Sequence, residues 1–282
     1  MRWYDVGLGT LAVVTAALVV FTYRGVAQAP GTFTAEQPTS SVGDNSAVTS
    51  AAGDHADATT AAPRSSHSRI TSVRTLLQQP DPIVIVALGD STGNDSWEWP
   101  YEWARRLAVT RPVTVVPWDG LTEAGYEAPL PLSEVPQPGG PGKITLYVGH
   151  QDGATAAYPT QHLAELFPQA PDLVMLNYGH NNTVSTIEAE LDQTLTALRD
   201  SFGPELPVIL TLQQPQAGDA NAQVRTAVHD FASEHALGWI DVAASFAEHQ
   251  AAGEILMMDD VHPNEAGQAL WADKVAAVLH VP

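Results

Sequence analysis

From about residue 79 onward, short apolar runs alternate with longer amphipathic stretches. Residues 82–88 form a continuous, largely β-branched apolar run, which is typical of a strand buried on both faces. Residues 184–202 place apolar side chains on one helical face, which predicts a helix. Further strands are predicted at residues 113–116, 144–148, 172–176, 208–212 and 239–242. Strands that alternate with helices predict an α/β fold with a parallel, doubly wound sheet.

The same pattern divides the chain into three parts. Residues 1–29 contain an apolar run of 16 residues, Val6–Phe21, with a basic residue near each end. We interpret this part as a signal or membrane-anchor segment. Its apolar run is longer than the core of a typical signal peptide and shorter than a typical membrane-spanning segment. Residues 30–78 are rich in Ala, Thr, Ser and Pro and are predicted to be a disordered linker. Residues 79–282 are the predicted folded domain, which we expect to be extracytoplasmic, either membrane-anchored or secreted.

The composition narrows the classes of partner. The chain has 32 acidic and 12 basic side chains and a formal net charge of −20. Such a surface repels nucleic acid and anionic membranes, so we expect no nucleic-acid partner and membrane contact only through the N-terminal segment. The absence of cysteine excludes a disulfide scaffold, a cysteine nucleophile and thiolate metal sites.

Ser91 is the candidate nucleophile. It follows the first predicted strand within the turn Gly89-Asp90-Ser91, a position that exposes its hydroxyl beside backbone N–H groups. Residues 89–93 also match the Gly-x-Ser-x-Gly nucleophile elbow of the α/β-hydrolases. Those enzymes need several strands before the elbow, whereas only the linker precedes this strand, so the position argues against that fold. Taken alone, a Gly-Asp-Ser turn is common.

Asp259 and His262 are the candidate acid and base. At a spacing of three residues, the Asp259 carboxylate can reach one ring nitrogen of His262 and fix its tautomer, which leaves the other nitrogen to act as a general base. Asp260 is a less favourably spaced alternative. The same residues also fit an acidic loop with a surface histidine. A metal site built from Asp259, Asp260 and His262 is a further alternative, although no His-x-x-x-His pattern supports it.

Two further residues are candidates for stabilising an oxyanion. Asn181 follows the strand predicted at 172–176, so its amide can point into the crevice beyond the strand ends. Gly153 lies on the loop after the strand at 144–148, where a glycine lets the backbone N–H approach a reacting carbonyl. Both residues also fit ordinary turns.

The order of these motifs resembles that of the SGNH or GDSL-type hydrolases over about residues 80–282, and the run after Gly89 is similar to exported actinobacterial members. The resemblance implies a three-layer α/β/α sandwich with a central parallel, flavodoxin-like, five-stranded sheet. Two positions depart from the common family pattern: Thr92 stands where many members have Leu, and Asn182 where many have Asp.

Carried over by position, the resemblance also implies roles for the candidate residues. The implied catalytic residues are Ser91 as nucleophile, His262 as base and Asp259 as its orienting acid. The implied oxyanion-hole donors are Gly153, Asn181 and the Ser91 N–H group. With these roles, we expect no cofactor and no metal.

The family's activity implies an exported serine esterase. The sequence has no long apolar lid segment, which favours removal of short acyl groups, such as acetyl, from a carbohydrate or a small ester. The expected partner is thus an ester substrate, such as an acylated glycan. Two alternatives stay open: a catalytically inert surface-binding protein with the same fold, and a lipase-type acylhydrolase.

Aromatic and histidine side chains near the motifs allow two interpretations. The aromatic residues either stack on sugar rings or pack in the interior; they are Trp97, Trp99, Trp118 and Tyr158. His150 and His180 are interpreted as substrate-rim or hydrogen-bonding residues. The Pro- and Gly-rich insert at 119–142 is predicted to form part of a rim over the site, in a short hairpin.

Overall fold

The computed structural model of the protein describes residues 66–134 and 140–279. The predicted signal or anchor segment at 1–29 lies outside this range, as does most of the linker predicted at 30–78. None of the helices within the described ranges is long and apolar enough to cross a membrane.

The C-terminal boundary of the linker at residue 78 is wrong. Residues Ser66–Leu77 form helix α1, in which Ile70, Val73 and Leu77 are buried. These three side chains recur at the spacing of one helical face and pack into the core beneath the sheet. These apolar side chains are few and lie among Ser, Thr and Arg residues, so the composition of the segment did not indicate a helix.

Seven strands and seven further helices follow α1 within the described residues. The strands are β1 (Ile83–Gly89), β2 (Val113–Pro117), β3 (Leu130–Ser133), β4 (Ile144–His150), β5 (Leu173–Asn177), β6 (Val208–Leu212) and β7 (Gly238–Asp241). The helices are α2 (Trp99–Leu107), α3 (Tyr158–Gln161), α4 (Leu163–Leu166), α5 (Ile187–Phe202), α6 (Ala222–Glu234), α7 (Val242–Ala251) and α8 (Glu265–Leu279).

The strands form one sheet in the order β3-β2-β4-β1-β5-β6-β7. All neighbouring pairs are parallel except β2 and β3, which are antiparallel. Strands β4-β1-β5-β6-β7 have the flavodoxin-like order, so the predicted α/β class is confirmed. The five strands implied by the resemblance are too few, because β2, which the pattern predicted at 113–116, and β3 extend one edge of the sheet to seven strands.

Apolar side chains fill both faces of the sheet. Ile85 and Ala87 of β1 pack on one side, and Val86 and Leu88 pack on the other. The first side is covered by residues of α1, α2, α7 and α8, among them Val73, Trp103, Phe246 and Trp271. The second is covered by residues of α5 and α6, among them Leu191, Leu195, Val228 and Phe231. The result is the predicted three-layer α/β/α sandwich.

The carboxyl ends of the three central strands meet at one edge of the sheet. Gly89 of β1 is in register with His150 of β4 and with Asn177 of β5. The loops that carry the candidate residues after these strands therefore begin side by side.

Candidate active site

Ser91, His262 and Asp259 form a continuous hydrogen-bonded series. The Oγ atom of Ser91 lies 2.9 Å from Nε2 of His262, and Nδ1 of His262 lies 2.9 Å from Oδ2 of Asp259. Because a carboxylate only accepts, Nδ1 of His262 carries the proton in this arrangement, and Nε2 is left to accept the proton of the Ser91 hydroxyl. The structure thus brings together the three residues that the sequence singled out.

Backbone donors hold the Asp259 carboxylate in its ionised form. Its Oδ1 atom accepts the N–H groups of His262, at 2.6 Å, and Val261, at 2.8 Å. These two bonds, together with the His262 ring, lower the pKa of Asp259 to about 2. The carboxylate therefore stays charged at neutral pH, as an orienting acid requires. Asp260 makes no comparable contact with the ring and is not needed for the arrangement.

The loop that carries His262 is fixed at both ends. The backbone N–H of Met258 donates to the carbonyl of His262, at 2.8 Å, and Gln214 Nε2 donates to the carbonyl of Val261, at 2.7 Å. Beyond the loop, Asn264 Oδ1 accepts the N–H of Gly267 at the start of α8, at 3.0 Å. The base is thus held by a capped helix start and by the loop after β6.

Asp90 fixes the turn that presents Ser91. Its buried carboxylate accepts hydrogen bonds from the Thr92 N–H, at 3.1 Å, and the Thr92 hydroxyl, at 2.7 Å. Gln213 Nε2 donates to the second carboxylate oxygen, at 2.8 Å. Asp90 and Thr92 are thus buried and tied to each other, so Asp90 is structural, whereas Ser91 between them is partly exposed.

His150 lies directly beneath the same turn. Its Nδ1 donates to the carbonyl of Asp90, at 3.0 Å, and burial lowers its pKa to about 4, so the ring is neutral. A Cβ atom at Gly89 or Gly93 would lie 2.4 or 2.3 Å from this ring. Of the two roles considered for His150, the structure gives it the hydrogen-bonding one, and both glycines are explained by its proximity.

The candidate oxyanion donors lie on two loops that contact each other. Asn181 is exposed and its Nδ2 donates to the carbonyl of Ala154, at 3.1 Å, which leaves its second amide N–H available. Gly153 is exposed and has a φ of +69°, a conformation that favours glycine. On the other side, Asn94 Nδ2, from the loop after Ser91, donates to Asp152 at 2.8 Å. The Gly153 loop is thereby hydrogen-bonded both to the Ser91 loop and to the Asn181 loop.

A sequence model described as "GDSL-like Lipase/Acylhydrolase family" matches residues 87–270. The protein belongs to this family. It is accordingly an ester-hydrolysing enzyme, and the inert alternative is not supported. No curated protein matches the chain.

Solved structures of an esterase and of a lipase/acylhydrolase share the fold. A two-domain esterase, CEX, active on acetylated mannans has a TM-score of 0.55 and 18% identity; the match covers 77% of this chain and 54% of the esterase. A lipase/acylhydrolase from Enterococcus faecalis has a TM-score of 0.50 and 18% identity, over 69% of this chain and 94% of the other. At such identities the likeness concerns the fold alone.

The contacts of Asn182 explain one departure of this GDSL hydrolase from the usual family pattern. Its Oδ1 accepts the N–H of Ala156, at 3.2 Å, and its Nδ2 donates to Oε2 of Glu190, at 2.8 Å. The same Glu190 oxygen accepts the N–H of Ala157, at 3.1 Å. An aspartate at position 182 would place a second carboxylate against Glu190, so the amide is the compatible side chain here.

Several residues that support the site were not predicted. Gln268 Nε2 donates to the carbonyl of Thr92, at 3.2 Å, and lies 3.3 Å from Oε1 of Glu98. Burial raises the pKa of Glu98 to about 8. Gln213 and Gln214, which follow β6 directly, join the Ser91 and His262 loops as described above. Two adjacent glutamines at the end of a buried strand were the available sequence signal.

Three of the four aromatic residues considered for sugar stacking are buried. Trp99, which is 0% exposed, stacks on Trp271 at a centroid distance of 5.6 Å. Trp118 and Tyr158 are also buried. The packing interpretation is therefore confirmed for these three. The described residues of the hydrolase include no group of three or more His, Cys, Asp or Glu side chains arranged to hold a metal ion.

Proposed function

We propose that this hydrolase cleaves carboxylic esters through Ser91, His262 and Asp259. The observation that carries the proposal is the hydrogen-bonded series itself, with 2.9 Å from Ser91 to His262 and 2.9 Å from His262 to Asp259. In the first half-reaction, Ser91 Oγ attacks the ester carbonyl carbon while its proton moves to His262 Nε2. Asp259 stabilises the resulting imidazolium.

The developing oxyanion is stabilised by the N–H groups of Ser91 and Gly153 and by the amide of Asn181. When the tetrahedral intermediate collapses, the alcohol leaves with the proton from His262, and an acyl group stays on Ser91. Water then attacks this acyl group and gives its proton to His262, and the acid is released with Ser91 restored. No cofactor takes part in this scheme.

The proposed substrate is an ester of a short acyl group, such as acetyl, with a carbohydrate or other small alcohol. Among the described residues, the exposed large apolar side chains fall on five short segments with at most two on each; they are Val109, Leu121, Leu130 and Leu132, Val184, and Ile255 and Met258. Such scattered residues do not make the continuous apolar surface that a long acyl chain needs. The CEX esterase, which acts on acetylated mannans, shares this fold.

A series of 4-nitrophenyl esters from acetate to dodecanoate tests the proposal. We expect the highest kcat/KM with acetate, and a loss of about 10⁴-fold or more in kcat in Ser91→Ala. Ser201→Ala, which removes an exposed hydroxyl on α5, is the matched control and should behave as wild type. Activity that persists in Ser91→Ala would overturn the nucleophile, and a maximum at dodecanoate would indicate the lipase-type alternative.

We also propose that the enzyme works outside the cytoplasm, by means of residues 1–29. Support comes from the apolar run Val6–Phe21 and its flanking basic residues. Residues 1–65, fused to a reporter enzyme that is active only after export, should give reporter activity. A fusion that is active only when an established signal replaces residues 1–29 would contradict export.

A further inference from the structure

The loop that carries Gly153 lines a polar cavity, and the reaction proposed above uses only Gly153 of that lining. Its volume is about 320 Å³, at the small end of the range of roughly 300–1,000 Å³ found for small-molecule sites. Residues 151–155 form part of its lining. The other lining residues are Glu123, Tyr158, Gln161 and His162.

The side chains of this cavity form an ordered polar surface. Oε2 of Glu123 accepts the Tyr158 hydroxyl, at 3.0 Å, and lies 3.5 Å from Nε2 of His162. The rings of Tyr158 and His162 stack at a centroid distance of 4.4 Å. Burial raises the pKa of Tyr158, so its hydroxyl remains a donor.

The backbone also holds Glu123 in place. Glu123 has a φ of 52°, which is uncommon for a residue other than glycine. Its N–H donates to the carbonyl of Asp119, at 2.8 Å, while the Asp119 side chain accepts the N–H groups of Leu121 and Thr122. The turn thus presents Glu123 to the cavity in a fixed position.

The chemistry of the lining decides what can occupy the cavity. An acyl chain would remove water from carboxylate, imidazole, amide and hydroxyl groups without replacing their hydrogen bonds, which is unfavourable. A polyhydroxylated alcohol both donates and accepts, and so can satisfy the same groups. The carboxylates of Glu123 and Asp152 disfavour an anionic ligand at close range.

The wall formed by residues 151–155 connects the cavity to the reacting groups. Asp152 accepts from Asn94 of the Ser91 loop, at 2.8 Å, and Ala154 accepts from Asn181, at 3.1 Å. A group bound in the cavity therefore lies beside the loop that contributes the Gly153 N–H. We propose that this cavity is the alcohol subsite of the enzyme and that it binds an uncharged sugar residue. The proposal rests on the esterase function proposed above and assigns its alcohol component.

The test compares acetate release from two sugars that differ in one charge. The substrates are mono-O-acetylated methyl glucoside and mono-O-acetylated methyl glucuronoside, with 4-nitrophenyl acetate as the sugar-free reference. For the wild type we expect kcat/KM to be about tenfold or more higher for the glucoside. Glycerol monoacetate, a smaller polyol ester, should be a poorer substrate than the glucoside.

Glu123→Gln tests whether Glu123 causes the preference for the glucoside, because it removes the charge and retains an acceptor for Tyr158. We expect it to reduce the glucoside-to-glucuronoside ratio by about threefold or more, mainly through KM. Asp152→Asn should shift the ratio in the same direction, and it replaces Glu123→Gln as the test variant if Glu123→Gln does not fold. Asp200→Asn, at an exposed carboxylate near the end of α5, should keep the wild-type ratio.

The outcomes separate the subsite from the esterase itself. Equal kcat/KM for the two sugars in the wild type, a preference for glycerol monoacetate, or an unchanged ratio in both variants would overturn the sugar subsite while 4-nitrophenyl acetate is still hydrolysed. A wild type that hydrolyses none of the esters would overturn the proposed function and the subsite with it.

Discussion

Asn182 shows how a single side chain adapts the family's site to this chain. It lies directly after Asn181 and ties the loop containing Ala156 to Glu190 on α5. Unlike an ionised aspartate of the same size, the amide both donates to a carboxylate and accepts from a backbone N–H. The departure from the usual aspartate therefore follows from the presence of Glu190.

Asn182→Asp is predicted to destabilise the folded enzyme. It replaces a hydrogen bond to the Glu190 carboxylate with repulsion in a buried position, which costs about 1–3 kcal/mol of unfolding free energy. Urea denaturation at pH 7 measures the loss. The double variant Asn182→Asp/Glu190→Gln should recover most of it, and equal stabilities of Asn182→Asp and wild type would contradict the account.

At the scale of elements, the start of α2 contains a buried carboxylic acid close to the Ser91 loop. Glu98 is 3% exposed. Its Oε2 accepts the N–H of Asp95, at 2.8 Å, and its Oε1 lies 3.3 Å from Gln268, which also bonds to Thr92. Because burial raises the pKa of Glu98 to about 8, the side chain is protonated at neutral pH in the folded state.

This pKa predicts a pH-dependent stability. Between about pH 5 and pH 8 the folded state retains a proton on Glu98 that the unfolded state has lost, so stability falls as pH rises. Glu98→Gln removes this dependence, and its unfolding free energy should rise relative to that of wild type by about 1.4 kcal/mol per pH unit in this window. Urea denaturation at pH 5, 6, 7 and 8 measures the difference, and parallel profiles for the two proteins would contradict it.

The strands and the site motifs were predictable because their signals are local. A buried strand such as β1 is a continuous apolar run, and Ser91, Asn181 and His262 stand in short motifs near strand ends or a helix start. Helix α1 was missed because only three of its apolar side chains, Ile70, Val73 and Leu77, are buried. The roles of Gln268 and Glu98 depend on contacts between residues about 170 positions apart, which no local pattern contains.

At the scale of the whole molecule, the crossovers of a parallel sheet assemble the site. Ser91, Gly153 and Asn181 follow β1, β4 and β5, whose ends are in register. His262 lies near the C-terminal end of the sequence, 171 positions after Ser91. The formal net charge of −20 gives the protein a negative long-range field, which agrees with the proposed preference for uncharged substrates.

The proposed mechanism depends on Ser91 as the nucleophile of this hydrolase. The most direct test is reaction with a fluorophosphonate, which forms a covalent bond to an activated serine, followed by intact-mass measurement and mapping of the modified peptide. We expect one adduct per chain, located on Ser91, and no adduct in Ser91→Ala. An unmodified wild type, or an adduct on any other residue, would contradict it.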